Sequence, residues 1–284
     1  MIGRWLFVGL LISYSLIILP FTGYLINRPL EIKLGYLPHP QIIKTISGEH
    51  RSTAAAFTVL KVLFYYGTIL QKLNDNVIVR PEFKNMYKTL NGAIHVDPYN
   101  MDAYYFAQAA FTWELGRIHE VNVLLEKGLE YRTWDYWLPF YLGFNQAYFL
   151  KDYEKAAINM QRAAEISGNP LYANLASRYF YESEQNEFGL KFLDAMIQGA
   201  KSSSVKKSYE MCKQALISVL QIEEAVSSYR NRFGRFPTEL TELVQTGLLA
   251  NLPDDPYGGT FFLDEQGKVR TSSKFVAPVA GKKY

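Results

Sequence analysis

The chain opens with 22 residues that carry no charge, WLFVGLLISYSLIILPFTGYLI at positions 5–26. A helix needs roughly 20 apolar residues, each rising about 1.5 Å, to cross the hydrocarbon core of a bilayer. One membrane span is therefore predicted. Arg4 precedes it, Arg28 and Lys33 follow it, and Trp5 and Tyr24 stand where interfacial side chains anchor such helices. A cleaved secretion signal has a shorter apolar core, about 7–15 residues, ending in small residues. Here the exit reads Phe21-Thr22-Gly23-Tyr24, so an uncleaved anchor is expected. Arg4 on one side against Arg28, Lys33 and Glu31 on the other leaves its orientation unset by charge. Residues 54–70, AAAFTVLKVLFYYGTIL, are shorter and hold Lys61 near the middle. A central lysine costs about 2.5–3.5 kcal/mol in a bilayer, so this stretch predicts a buried helix of a globular body. Between the two, in residues 27–51, Pro29, Pro38 and Pro40 predict an extended connector.

Beyond residue 52 the apolar spacing is helical, and it repeats. Ala93, Gly128 and Ala163 lie 35 apart; Leu90, Leu125 and Met160 move with them, as do Met86, Val121 and Ala156. Within each unit the three positions share one helix face, at i, i+4 and i+7. Upstream, Tyr105 matches Phe140 and Ala109 matches Phe144 at the same interval, so two helices per unit repeat together. A further two-helix stretch, residues 171–200, keeps the rhythm with its small positions out of register.

These residues resemble the tetratricopeptide (TPR) family, whose unit is a 34-residue helix-turn-helix. KDYEKAAINMQRAAEISGNP, at 151–170, is similar to the family's second helix, with Tyr153, Ala156, Met160 and Ala163 at its packing positions. AIHVDPYN, at 93–100, is similar to the family's repeat ending. The chain departs from the pattern at Gly128, where alanine is usual, and at Thr133 and Gly168, where proline is usual. The resemblance implies a groove lined by first-helix positions, here Phe106, Ala110, Trp113, Tyr141, Asn145 and Tyr148. Such an aromatic groove suits an extended or helical peptide. Phe106 and Tyr141 occupy the place of the lysine that some TPR domains use to clamp a terminal carboxylate, which argues against a chaperone-tail receptor.

After a polar break at 200–208, a long helix is expected from Glu210 through Arg232. Phe236-Pro237-Thr238 then opens a short helix with Thr238 as N-cap, Gly247 ends it, and Asp255-Pro256-Tyr257-Gly258-Gly259 makes a turn. Residues 260–263 and 268–271 read as hairpin strands around Asp264-Glu265-Gln266-Gly267. This stretch resembles the globular end of the major pseudopilins of type II secretion, through Tyr229, Gly234, Phe236, Pro237, Leu252, Pro253, Asp255, Pro256, Tyr257 and Gly258. The pilin leader and its assembly-helix start are missing, so a borrowed module is expected rather than a polymerising subunit. The family's site of action implies a periplasmic body on a single-pass anchor in a bacterial inner membrane. Asp254, Asp255, Asp264 and Glu265 lack a regular calcium-ligand spacing and read as turn caps.

The expected architecture is mainly α. It comprises an anchor (1–26), a linker (27–51), TPR-like helical repeats (52–200), a small α+β module of helix plus hairpin (209–275) and a tail (276–284). Thirty basic against 27 acidic residues give a net charge of only +3, too balanced for a phosphate-neutralising nucleic-acid face. A single cysteine, Cys212, forms no disulfide framework and is expected to pack. No phosphate-binding, dinucleotide, zincin or hydrolase motif occurs, and His39, His50, His95 and His119 never fall three to five apart. No catalytic residue, metal ligand or cofactor is predicted. The expectation is a membrane-anchored scaffold that binds a protein or peptide partner during assembly or export of an envelope or extracellular structure. Its rivals are a structural subunit of a secretion or pilus-type machine and an enzyme with an unrecognised site.

Overall fold

A computed structural model describes residues 2–27, 31–200 and 202–276. Arg28 and Pro29, assigned above to the anchor's flank and the connector, lie outside the described residues, as does nearly all of the 276–284 tail. Among the described residues the chain is mainly helical with one small two-stranded sheet, and it divides into two compact units, Met1–Glu114 and Leu115–Tyr284.

In the first unit, α1 (Ile2–Asn27) is a continuous helix with Pro20 inside it. Its stretch Gly3–Leu25 has a mean hydropathy of 2.0 and buries nothing, so it is long and apolar enough to cross a membrane. Pro40 starts α2 (Pro40–Ser47), and a 3-10 turn (Gly48–His50) leads into α3 (Arg51–Asn74). Proline suits that first position because its missing N–H would lack an intrahelical partner anyway. The sequence reads residues 54–70 as a buried helix, but α3 buries only one face, through Ala55, Val59, Val62, Tyr65 and Ile69. Phe57, Leu60 and Phe64 point outward. The reason is that α4 (Phe83–Val96), its main neighbour, covers a single side. Glu82 ties the corner: its carboxylate accepts from Leu34 N at 2.9 Å, and its own N–H donates to the Tyr65 hydroxyl at 2.8 Å. The unit closes with α5 (Met101–Phe106), capped by the Asn100 side chain on Ala103 N, and a π-helical segment, π1 (Ala107–Glu114).

The second unit continues as α6 (Ile118–Tyr131), α7 (Trp137–Asn145) running into π2 (Gln146–Leu150), α8 (Tyr153–Ser167), α9 (Pro170–Glu182), α10 (Asn186–Gly199) and α11 (Ser203–Phe233). Then come α12 (Thr241–Gln245) and an antiparallel hairpin, β1 (Phe261–Leu263) with β2 (Val269–Thr271), in the register Phe261 to Thr271. The nine repeating positions fall on α4, α6 and α8, and every one is buried. At Gly143 a Cβ would lie 3.0 Å from Met160 Cγ and 3.2 Å from Ala156 O, so the α7 backbone comes close to α8.

The carboxyl-terminal residues share one core with the preceding helices. Leu240, Leu243, Tyr257, Val269 and Phe275 pack with Phe180, Tyr181, Leu216 and Ile222. Two boundaries differ from the sequence expectation. α11 starts at Ser203 rather than near Glu210, because the Ser202 hydroxyl caps Val205 N at 3.3 Å while Tyr209 and Cys212 are buried. α12 starts at Thr241, not after a Thr238 cap, because the Glu242 carboxylate itself accepts from Thr238 N at 2.7 Å and Glu239 N at 3.3 Å. Gly247 does take the left-handed conformation after this helix (φ 73°). The hairpin turn is held by Asp264, whose Oδ1 accepts from Gln266 N and Lys268 N at 2.9 Å each.

Candidate partner-binding site

Residues 134–149, WDYWLPFYLGFNQAYF, hold eight aromatics in sixteen positions. The helix that carries them is started by a locked cap. Arg132 Nε and Nη2 hold Asp135 Oδ2 at 2.9 and 2.7 Å, and Asp135 Oδ1 accepts Trp137 N at 3.0 Å. Both side chains of this ion pair are largely buried, so the pairing resists solvent screening better than a surface pair. Pro139 then falls in the first turn, where its absent N–H costs nothing.

Helical spacing stacks the rings along α7. Trp137 lies on Tyr136 (5.1 Å between centroids) and on Tyr141 (5.6 Å), both pairs 29° from parallel. Phe140 packs on Tyr172 of α9 at 5.2 Å and on Phe144 at 6.3 Å. Phe144 in turn stacks on Tyr148 at 5.3 Å and 12°. The π-helical turn π2 lets the neighbouring residues Tyr148 and Phe149 meet edge to face at 4.9 Å. Lys151, at a left-handed φ of 56°, holds its Nζ 5.6 Å over the Tyr148 ring. Trp137 and Tyr148 stay 41% and 57% exposed, so the stack has an accessible edge. Offset and edge-to-face aromatic pairs are worth about 0.5–1.5 kcal/mol beyond their buried area, so the stacked rings hold one another in place. π turns recur at functional positions in helices, and here both π1 and π2 end the aromatic-bearing helices of their units.

The six residues assigned to a groove are distributed as follows. In the first unit Trp113 is 55% exposed, while Phe106 and Ala110 are buried, Phe106 against Tyr66 at 5.7 Å. In the second unit Tyr148 is exposed and Tyr141 half-buried, but Asn145 is fully buried and donates from Nδ2 to Asn122 Oδ1 at 2.8 Å. The accessible members are thus Trp113 in one unit and Tyr141 and Tyr148 in the other. Trp137, Phe140 and Tyr136 join the second set. The eight-in-sixteen aromatic density was their signal in the sequence.

What this surface offers chemically is aromatic ring area suited to apolar contact. Among the described residues no three His, Cys, Asp or Glu side chains come together as a metal site. Burial pushes the Cys212 thiol up to about 11; its Sγ lies 2.8 Å from the Tyr257 hydroxyl and 3.1 Å from Asn174 Oδ1. That thiol is inert packing rather than a nucleophile. The Asp255 carboxylate is consumed by the turn it caps, accepting from Tyr257 N at 2.8 Å, from the Ser273 hydroxyl at 2.6 Å and from the Thr271 hydroxyl. The chain matches no known protein family, no curated protein and no solved structure.

Proposed function

We propose that the protein is a membrane-tethered helical scaffold that holds a protein partner on its first-helix aromatic surface. The observation that carries this reading is the aromatic stack of α7 and π2, rigid, capped and accessible along the Trp137–Tyr148 edge. Rigid rings contribute large contact area at low entropy cost, so the ligand class is an extended or helical peptide with apolar side chains. The apolar, uncovered α1 supports a single-pass anchor. The 35-residue recurrence of buried positions on α4, α6 and α8 supports the TPR reading. The α11–α12–hairpin order supports the pseudopilin-like reading, and with it a body on the periplasmic side that serves assembly or export of an envelope structure.

The test is capture of a partner by the full chain with Trp113→Ala and Tyr148→Ala, singly and together. Both rings are exposed, so the helical circular dichroism and melting profile should stay unchanged while capture falls at least roughly tenfold, the scale of one lost aromatic anchor. Capture at the original level by a folded double variant contradicts the assignment.

A further inference from the structure

The outward face of α3 is not like that of α4, its main neighbour. Between Ser52 and Leu70 the only charged residue is Lys61, and its Nζ is turned to the Tyr36 carbonyl at 3.0 Å. At 3.6 residues per turn, Phe57, Leu60, Leu63, Phe64 and Leu70 fall within an arc of roughly 140° opposite the buried face. Phe57 is 67% and Phe64 73% exposed. At about 200 Å² per ring-bearing side chain the two alone leave roughly 280 Å² of apolar surface open. Gly67, on the same arc, has nothing within 4 Å of where a Cβ would stand. By contrast the exposed positions of α4 are Lys84, Lys88 and His95.

We propose that this face of α3 lies on the bilayer surface, as a second, interfacial contact beside the anchor. The proposal rests on the reading above that α1 crosses a membrane. Two observations favour lipid as the occupant. First, only twelve residues, 28–39, join α1 to α2; at no more than about 3.6 Å each they hold α2 within roughly 40 Å of the membrane surface, and one 3-10 turn joins α2 to α3. Second, the charge is distributed as an anionic leaflet requires. Residues 1–114 carry ten basic against seven acidic groups and residues 115–284 carry twenty of each, so the whole excess of +3 belongs to the first unit. Residues 31–96 alone hold eight basic against four acidic groups; exposed Arg51 starts α3, beside exposed Glu49, and exposed Lys44 lies on the preceding α2. An apolar stripe flanked by basic residues is the composition of an in-plane membrane helix.

The experiment places an environment-sensitive bimane label on the full chain reconstituted in phosphatidylcholine vesicles containing phosphatidylglycerol. The sites are Leu60→Cys on this face, Lys88→Cys on α4 and Ile12→Cys in α1. Cys212 is fully buried and stays unlabelled in the folded protein. The expected result is quenching of the Leu60→Cys label by shallow spin-labelled lipid, with iodide access roughly threefold below that at Lys88→Cys. Adding Phe57→Glu and Phe64→Glu should restore iodide access at that label. Quenching at Ile12→Cys with none at Leu60→Cys overturns this inference and leaves the anchor standing. No quenching at either site overturns both. Iodide protection at Leu60→Cys without lipid quenching also overturns it, in favour of a protein occupant.

Discussion

Tyr181 fastens the carboxyl-terminal hairpin to the helices. Its ring is buried against Phe275 at 4.6 Å, and its hydroxyl donates to Val269 O at 3.2 Å while accepting from Thr271 N at 3.0 Å. Burial raises its pKa to about 12, as expected of a phenol sealed from water. Strands of three residues form too small a sheet to stand alone, so the hairpin depends on this docking. Tyr181→Phe keeps the ring and removes the hydroxyl, which orphans one buried carbonyl and one buried N–H. Each unmet group costs about 1–3 kcal/mol. With part of the cost relieved by relaxation, the expected loss is about 2–3 kcal/mol. For a unit of this size, 1 kcal/mol moves the melting temperature by about 2–4 °C, giving a drop of roughly 4–12 °C by calorimetry. The Thr271 amide should also lose hydrogen-exchange protection ahead of the α8 and α9 amides. A melting temperature within about 1 °C of the parent, with Thr271 still protected, would refute the view that this hydroxyl holds the hairpin.

Two other perturbations probe the same region. At Gly259 a Cβ would lie 2.6 Å from both Asp255 Oδ2 and Ser273 N; Gly259→Ala should cost about 1–3 kcal/mol in a urea melt, whereas Gly199→Ala, with nothing within 4 Å, should not destabilise. Glu242 is held down to about 2, first by the Tyr229 hydroxyl, then by Thr238 N and with help from Arg235, against an ordinary 4.5. A depressed carboxylate contributes stability that is fully present above its unfolded pKa and lost as pH falls through the folded one. Stability should therefore drain between pH 4.5 and 2, and in Glu242→Gln that acid-side slope should flatten when urea midpoints are followed against pH.

The parts of the fold legible in the sequence are those written in local spacing. The 35-residue recurrence marks buried positions because a helix brings i, i+4 and i+7 to one face, and Met86, Val121 and Ala156 are all fully buried. Asp264 to Gly267 announces the hairpin through its own side-chain caps and a glycine at φ 78°. What stayed hidden depends on partners distant in sequence. Hydropathy makes residues 54–70 apolar on nearly every side and cannot say that only one face of α3 meets α4. Asn145 has the look of a groove residue, yet it is buried against Asn122, 23 positions earlier. Trp137 and Phe140 join the candidate surface because an Arg132–Asp135 lock starts α7 where it does, and the π turn at 146–150 leaves no mark in the apolar period.

On the proposed function, a protein partner sits on the aromatic edge of α7 and π2. It is tested by a photo-crosslinking residue at position 148 in the full chain, compared with the same residue at position 191, on α10. The expected result is a discrete protein adduct from position 148 that is absent from position 191 and lost on Trp137→Ala. Equal adducts from both positions, or an adduct indifferent to Trp137→Ala, would contradict it.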